Sequence, residues 1–292
     1  MPTSTYVLAS RPVQRMGFGA MQLPGPGVMG PPKDRTQALR LLRKVVHSGI
    51  NHIDTAQFYG PDVANELIHA ALHPYPENLV LVSKVGAART PEGGWVEAQR
   101  PEELRAGVEA NLASLELEQI PVVNLRRHPD GDVPFAEQVE CMIALRDEGL
   151  IGGIGLSTVT LGEYREANEL TEIACVQNAY NLADRSGQDV FDACTADGVA
   201  YVPYFPLGSA FFPENPVLSH PAVKREAERL GALPAQVALA WLLQVAPNVL
   251  LIPGTSSLSH LEENLVAADL VLDDETMNAL SVGNSMDGAN GH

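Results

Sequence analysis

The chain has 292 residues, 45% of them apolar, a length at which an α/β barrel folds as one domain around a sizeable core. Nineteen Lys and Arg against 36 Asp and Glu leave a formal charge of −17, a field that repels nucleic acid and anionic lipid and excludes both as partners. No apolar run approaches a membrane span, no secretory signal opens the chain, and Cys141, Cys175 and Cys194 lack CxxC spacing. A soluble cytoplasmic protein with reduced cysteines is expected.

In chain order, Tyr6–Arg11 and Pro12–Gln14 suit a β-hairpin, and a first strand is predicted near Met16–Gln22. Leu39, Leu42 and Val46 keep helical spacing until Gly49, and Ile50–Asp54 reads as a strand. A helix over Ala64–Leu72 stops before Pro74, Val80–Lys84 is a strand, and Pro101 opens a helix to about Glu116. Strands follow at Val122–Arg126, Ile151–Ser157, Cys175–Asn178, Val199–Pro203 and Val249–Ile252. Helices separate them over Phe135–Glu148, near Leu161–Leu170 and Val190–Ala196, then near Ala222–Leu230 and Ala235–Val245, with a last helix from Leu258. Eight strands alternating mainly with helices imply parallel pairing and helical crossovers. The expectation is a single-domain (β/α)8 barrel over residues 1–292, its bottom closed by the N-terminal β-hairpin.

Barrels place chemistry where strands end. The polar strand ends are Asp54, Lys84, Arg126-Arg127-His128, Ser157-Thr158, Gln177-Asn178 and Tyr204. Lys84 shares a strand face with Val80 and Val82, where an ammonium is costly unless paired. Asp54, ending the neighbouring strand, is its partner. The pair alone fits a buried structural bridge as well as a site. Tyr59 separates these readings, because the loop after Asp54 can fold it back over the strand ends. A phenol is a weak acid near neutrality, and an adjacent ammonium favours its ionised form. A Tyr–Lys–Asp chain is thus a plausible proton donor to an oxyanion forming on a carbonyl.

Asn51-His52-Ile53-Asp54-Thr55-Ala56-Gln57-Phe58-Tyr59-Gly60 followed by Val82-Ser83-Lys84 resembles the aldo-keto reductase signature. Further matches come in the family's order: Gly155-Leu156-Ser157, Val176-Gln177-Asn178, Tyr204 to Gly208, and Ile252-Pro253-Gly254-Thr255 leading to Glu262-Glu263-Asn264. The resemblance spans about residues 15–280. It implies a carbonyl reductase in which Tyr59 gives the proton, Lys84 lowers its pKa and Asp54 holds Lys84. It also implies a bound NADPH, with Tyr204 under the nicotinamide and Ser157 and Gln177 near its carboxamide. Pro206, Leu207, Gly208, Gly254 and Thr255 would border the cofactor. Ser256, Ser257, His260, Glu263 and Asn264 would hold its adenosine end, where a helix N-terminus attracts phosphate.

Two positions depart from that pattern. The family's fourth catalytic residue is a histidine ending strand four, and here Arg126 stands in its place with His128 two residues on. Either could reach the pocket by strand alternation, or the two arginines could form a solvated loop edge. The second departure is His260, where many members carry an arginine for the 2′-phosphate. An imidazole is only partly charged at neutral pH, which leaves NADH open as a second cofactor. Thr158 also replaces a frequent asparagine, weakening the carboxamide contact.

Other signals are set aside. Gly149 to Gly155 leaves a helix and enters a strand, the reverse of a Rossmann fingerprint, and close packing explains its glycines. His69 and His73, with Glu66 upstream, have metal-like spacing but read as an exposed helix face, so no metal is expected. Substrate choice is assigned to Gln22–Lys33, Gly86–Arg100 and Leu207–Pro221, where Trp95, Phe211 and Phe212 could line or lid the pocket or equally pack within their own loops. The reading is an NAD(P)H-dependent carbonyl reductase acting on a small-molecule aldehyde or ketone, as a monomer or weak homo-oligomer. The alternatives are a cofactor-binding regulatory subunit with little turnover, as the potassium-channel β subunits of the superfamily show, and a metal-dependent barrel hydrolase.

Overall fold

The computed structural model describes residues 4–128, 131–208 and 215–282; Phe211 and Phe212 lie outside them. A hairpin of β1 (Thr5–Leu8) and β2 (Arg11–Gln14) precedes the short β3 (Phe18–Gly19). There follow α1 (Arg35–His47), β4 (His52–Asp54), α2 (Val63–Leu72), β5 (Val80–Arg89), β6 (Trp95–Ala98), α3 (Pro101–Leu115), β7 (Ile120–Arg126), α4 (Phe135–Asp147) and β8 (Ile151–Ser157). The chain continues through α5 (Leu161–Leu170), β9 (Cys175–Gln177), α6 (Gln188–Asp197) and β10 (Ala200–Tyr201). It then forms α7 (Pro216–Ser219), α8 (Pro221–Leu230), α9 (Pro234–Val245), α10 (Leu258–Val266) and α11 (Asp274–Val282). Prolines open α3, α8 and α9, where a missing N–H costs nothing. Asp34 caps α1 through the Gln37 amide, and Thr160 caps α5 in a reciprocal pair with Glu163.

Strands β3, β4, β5, β7, β8, β9 and β10 pair in that order, all parallel. The eighth barrel position is filled by residues 249–251, which bridge Tyr201 on one side and Met16 on the other. This completes a (β/α)8 barrel. The seam is thinner than the predicted strands at Met16–Gln22 and Val249–Ile252. Residues 20–22 turn into a short 3-10 helix, and the contact across the seam is two isolated bridges. Four backbone hydrogen bonds of 2.7–2.9 Å carry it, from Gly17, Leu250, Leu251 and Tyr201. The expected loop after strand three is instead a hairpin, because β5 runs on to Arg89 and pairs antiparallel with β6.

Barrel interior and helical jacket are separate apolar clusters. Inside, Leu8 and Val13 of the hairpin pack with Val80, Val82, Val122, Cys175, Ala200, Val202, Leu250 and Ile252. The hairpin therefore closes the barrel's lower end. Tyr6 donates to the Gly198 carbonyl, and Asn51 both accepts from the Gln14 amide and donates to the Pro12 carbonyl. Gly155 is needed by the interior: a Cβ there would lie 2.0 Å from Asn124 Oδ1 and 2.8 Å from Cys175 Sγ. That glycine serves close approach between strands, not phosphate.

Two of the barrel's buried bases, Arg15 and His52, bear directly on its stability. Arg15 donates to the carbonyls of Val249 at 3.0 Å and of Leu243 and Ala246 at 2.6 Å each, clamping the seam to the end of α9. Its burial lowers its pKa, and no carboxylate among the described residues pairs with it. Replacing Arg15 by Met strands three acceptors and should lower stability by about 2–4 kcal/mol, seen as an earlier urea midpoint. An unchanged midpoint would show that the clamp contributes nothing.

His52 faces the interior one step below Asp54. Burial pushes it down to about 4, with Lys84 adding to the shift and Asp54 opposing it. Between the ordinary value of 6.5 and 4 the unfolded chain takes up a proton that the folded chain refuses. Stability should therefore fall as pH drops through that window, by about 3 kcal/mol from this group. Urea midpoints at pH 7 and pH 4.5 should diverge less in His52→Gln than in the natural protein.

Candidate active site

Asp54 ends β4 and Lys84 lies within β5, both side chains facing the barrel's upper opening and both almost fully buried. Lys84 Nζ donates to Asp54 Oδ1 and, at 3.1 Å, to the Thr55 carbonyl. Gln177 from β9 donates to the other Asp54 oxygen at 2.9 Å, crossing the barrel. Burial draws the Lys84 pKa down, but Asp54 and Tyr59 raise it further, and it ends above the ordinary value.

Tyr59 stands over this pair, with Lys84 Nζ 5.1 Å from its ring centroid. Its amide bonds the Ala56 carbonyl and its carbonyl accepts from Ala64, fixing the phenol between β4 and α2. Lys84 was expected to lower the Tyr59 pKa. Its influence has that sign, but burial outweighs it and Asp54 adds to burial, so the phenol lies above its ordinary value of 10.0. The phenol is thus protonated throughout the neutral range.

A cavity of about 510 Å³ opens above these groups. Asp54, Tyr59, Lys84, Arg126, Ser157 and Gln177 form its floor, and Tyr204, Pro206, Leu207, Gly208, Gly254, Thr255, Ser256 and His260 line its flank. Of the two candidates ending strand four, Arg126 reaches the cavity. His128 lies past the end of β7, where alternation no longer aims side chains; it is exposed, with Nδ1 3.8 Å from Glu97. Arg127 turns aside to Glu163 at 2.8 Å. The Arg126 guanidinium makes no hydrogen bond or ion pair among the described residues and sits 5.6 Å from the Trp95 ring. Trp95 packs edge-on against Phe58 and beneath Arg89, at 4.0 Å.

The flank suits a phosphate-bearing dinucleotide. The backbones of Gly19 and Gly254 approach so closely that a Cβ on Gly254 would lie 2.7 Å from the Gly19 carbonyl oxygen. The exposed Ser256 precedes α10, whose first-turn amides add the positive end of a helix dipole. Tyr204 offers a half-buried ring beside the floor. Ser257, Glu263 and Asn264 do not line the cavity: the Ser257 hydroxyl caps α10 and contacts Ser259 at 2.8 Å, and Asn264 is buried against the jacket.

A second tier of residues, unseen in the sequence reading, braces the floor from outside the barrel. Thr55 donates to Asn65 at 2.8 Å, Asn65 to Asn111 at 2.9 Å, and Ser83 also donates to Asn111. This chain joins β4, α2, α3 and β5 directly behind Asp54 and Lys84. Gln99 donates to the Arg126 carbonyl at 2.8 Å and accepts from Arg127 at 3.0 Å. The available signal was a polar residue on the inward stripe of each helix.

The sequence model described as the Aldo/keto reductase family matches residues 15–282. The chain belongs to this family. It is 47% identical to pyridoxine 4-dehydrogenase of Escherichia coli (strain K12) over 96% of this chain and 98% of that one. An uncharacterized oxidoreductase of Schizosaccharomyces pombe is 38% identical over 90% of this chain and 84% of its own. Among solved structures, an aldo/keto reductase of Klebsiella pneumoniae in complex with NADP and acetate superimposes with a TM-score of 0.82, at 26% identity and 98% coverage of both chains. Membership makes this chain an oxidoreductase of the aldo/keto reductase type.

The brace behind the floor is testable apart from the floor itself. Asn111→Ala removes acceptors for buried donors on Asn65 and Ser83 and should cost about 1–3 kcal/mol of stability. A melting temperature within a degree of the natural protein would show that the chain of hydrogen bonds is dispensable.

Proposed function

We propose that this enzyme reduces aromatic aldehydes of the pyridoxal type, which carry a ring hydroxyl next to the aldehyde, to the corresponding alcohol. The single observation behind this reading is Arg126, a cation on the cavity floor beside Tyr59 with no ion-pair partner among the described residues. In pyridoxal the ring oxygen is anionic at neutral pH. A fixed planar guanidinium suits such an oxygen better than an imidazole does. The 47% identical pyridoxine 4-dehydrogenase adds weight to the same substrate class.

Bound NADPH supplies the hydride that adds to the carbonyl carbon. Tyr59 gives its hydroxyl proton to the carbonyl oxygen as the C=O electron pair moves there. Lys84 and Arg126 stabilise the phenolate left behind, which regains a proton from solvent. Asp54, held by Gln177, keeps the Lys84 ammonium charged and aimed. Ser157, Gln177 and Tyr204, which line the cavity floor and flank, would hold the nicotinamide end. Ser256 and His260 would hold the adenosine phosphate end, with NADH as a second cofactor. The three unpaired cysteines suit a reducing, cytoplasmic setting.

Tyr59→Phe should lower kcat for pyridoxal reduction by about 10²–10⁴ while NADPH still binds. Arg126→Gln should lower kcat by a similar factor on both aldehydes, through the phenolate, and in addition raise KM for pyridoxal alone about tenfold, equivalent to about 1.4 kcal/mol. Steady-state rates with both aldehydes decide it. Equal changes of KM on the two substrates would remove the ring-oxygen role from Arg126. Binding of NADPH with no turnover of either aldehyde would end the reductase assignment for this substrate class.

A further inference from the structure

On the face opposite the cavity, where helices end, two histidines and a glutamate converge. His69 lies in the last turn of α2, His73 follows its last residue, and Glu116 follows the last residue of α3. His69 Nε2 is shielded from solvent, makes no hydrogen bond and faces Glu116 Oε2 at 3.4 Å. The two imidazole rings lie 4.7 Å apart, and one ligand atom from each of the three residues falls within 4.8 Å of the others. Sequence spacing had offered Glu66 as the third member. The fold brings Glu116 from the neighbouring helix instead.

We propose that His69, His73 and Glu116 form a binding site for a divalent transition-metal ion of the zinc type. Two imidazole nitrogens and one carboxylate are a set that zinc accepts, leaving a fourth position for water. Tetrahedral ligands at zinc bond lengths stand about 3.3–3.5 Å apart, the separation His69 and Glu116 already have. His73, exposed at the helix end, closes the remaining gap by rotation. Its ring is seated edge-on against Tyr75 at 5.5 Å, and the Tyr75 hydroxyl is tied to the Leu115 carbonyl at 2.7 Å. The ligand-bearing segments are therefore joined before any ion arrives. The C-terminal ends of α2 and α3 both meet here, and their partial negative charge favours a cation.

An ion there would clip α2 to α3, the same two helices whose Asn65 and Asn111 brace Asp54 and Lys84 from behind. It would act on stability, at a distance from the carbonyl chemistry.

The test uses full-length, tag-free protein stripped of metal and titrated calorimetrically with zinc chloride. One equivalent should bind, and Mg²⁺ should not compete. His73→Ala and Glu116→Gln, both changes of exposed side chains, should each weaken binding at least tenfold. At a hundredfold excess over Kd, zinc should raise the melting temperature of the natural protein by about 5 °C and of the variants much less. Cobalt should give the visible bands of a four-coordinate nitrogen–oxygen site, absent in His69→Gln. No saturable site, or one whose affinity ignores all three substitutions, would overturn the proposal. Either result leaves the reductase reading untouched, since none of the three residues lines the cavity.

Discussion

An ammonium and a carboxylate facing each other at the top of a closed barrel constrain nearly everything around them. Removing both Lys84 and Asp54 from water carries a penalty of several kcal/mol per ion, which the mutual attraction offsets only when every remaining donor and acceptor finds a partner. The surrounding residues meet that requirement one by one. The Thr55 carbonyl takes a second Lys84 proton, and Gln177 satisfies the second Asp54 oxygen from across the barrel. Behind the strands, Thr55 and Ser83 face outward and are gripped by asparagines from α2 and α3. Consecutive residues on one strand thus serve opposite sides of the wall. The inward ones carry charge and the outward ones hold the strand in place.

The same constraint governs Tyr59. Burial keeps its proton on, and the cations of Lys84 and Arg126 lie where a phenolate would form. A phenol that is hard to ionise at rest and well supported once ionised is a donor that releases its proton only to a developing oxyanion.

Much of this was legible because strands alternate and barrels put polar residues at strand ends. Asp54, Lys84, Arg126, Ser157, Gln177 and Tyr204 could each be picked out that way, and all of them line one cavity. Legibility stopped where a contact depends on which helix lies beside which. Asn65 and Asn111 are ordinary helical asparagines until α2 and α3 are packed together. Glu116 lies 47 positions after His69, beyond any spacing rule that starts from one helix. Strand length failed for a different reason. Trp95–Ala98 is only four residues long and mostly exposed, so only its pairing with β5 reveals it as a strand. At the other end, Ala20–Gln22 continues an apolar run that periodicity cannot distinguish from a strand, yet it coils.

The seam formed by residues 249–251, with β10 on one side and the first strand on the other, has a consequence for how the molecule breathes. Elsewhere adjacent strands share multi-residue ladders, such as the six partners joining β7 and β8. At the seam two bridges and the Arg15 clamp carry the load. Local opening follows the weakest cooperative unit. The staves on either side of residues 249–251 are where the cask parts first, and amides there exchange with solvent sooner than those of β7. The cavity flank at Gly19 and Gly254 spans that same join. An occupied flank would then act as a hoop, tightening the barrel at the place where its own backbone grips least.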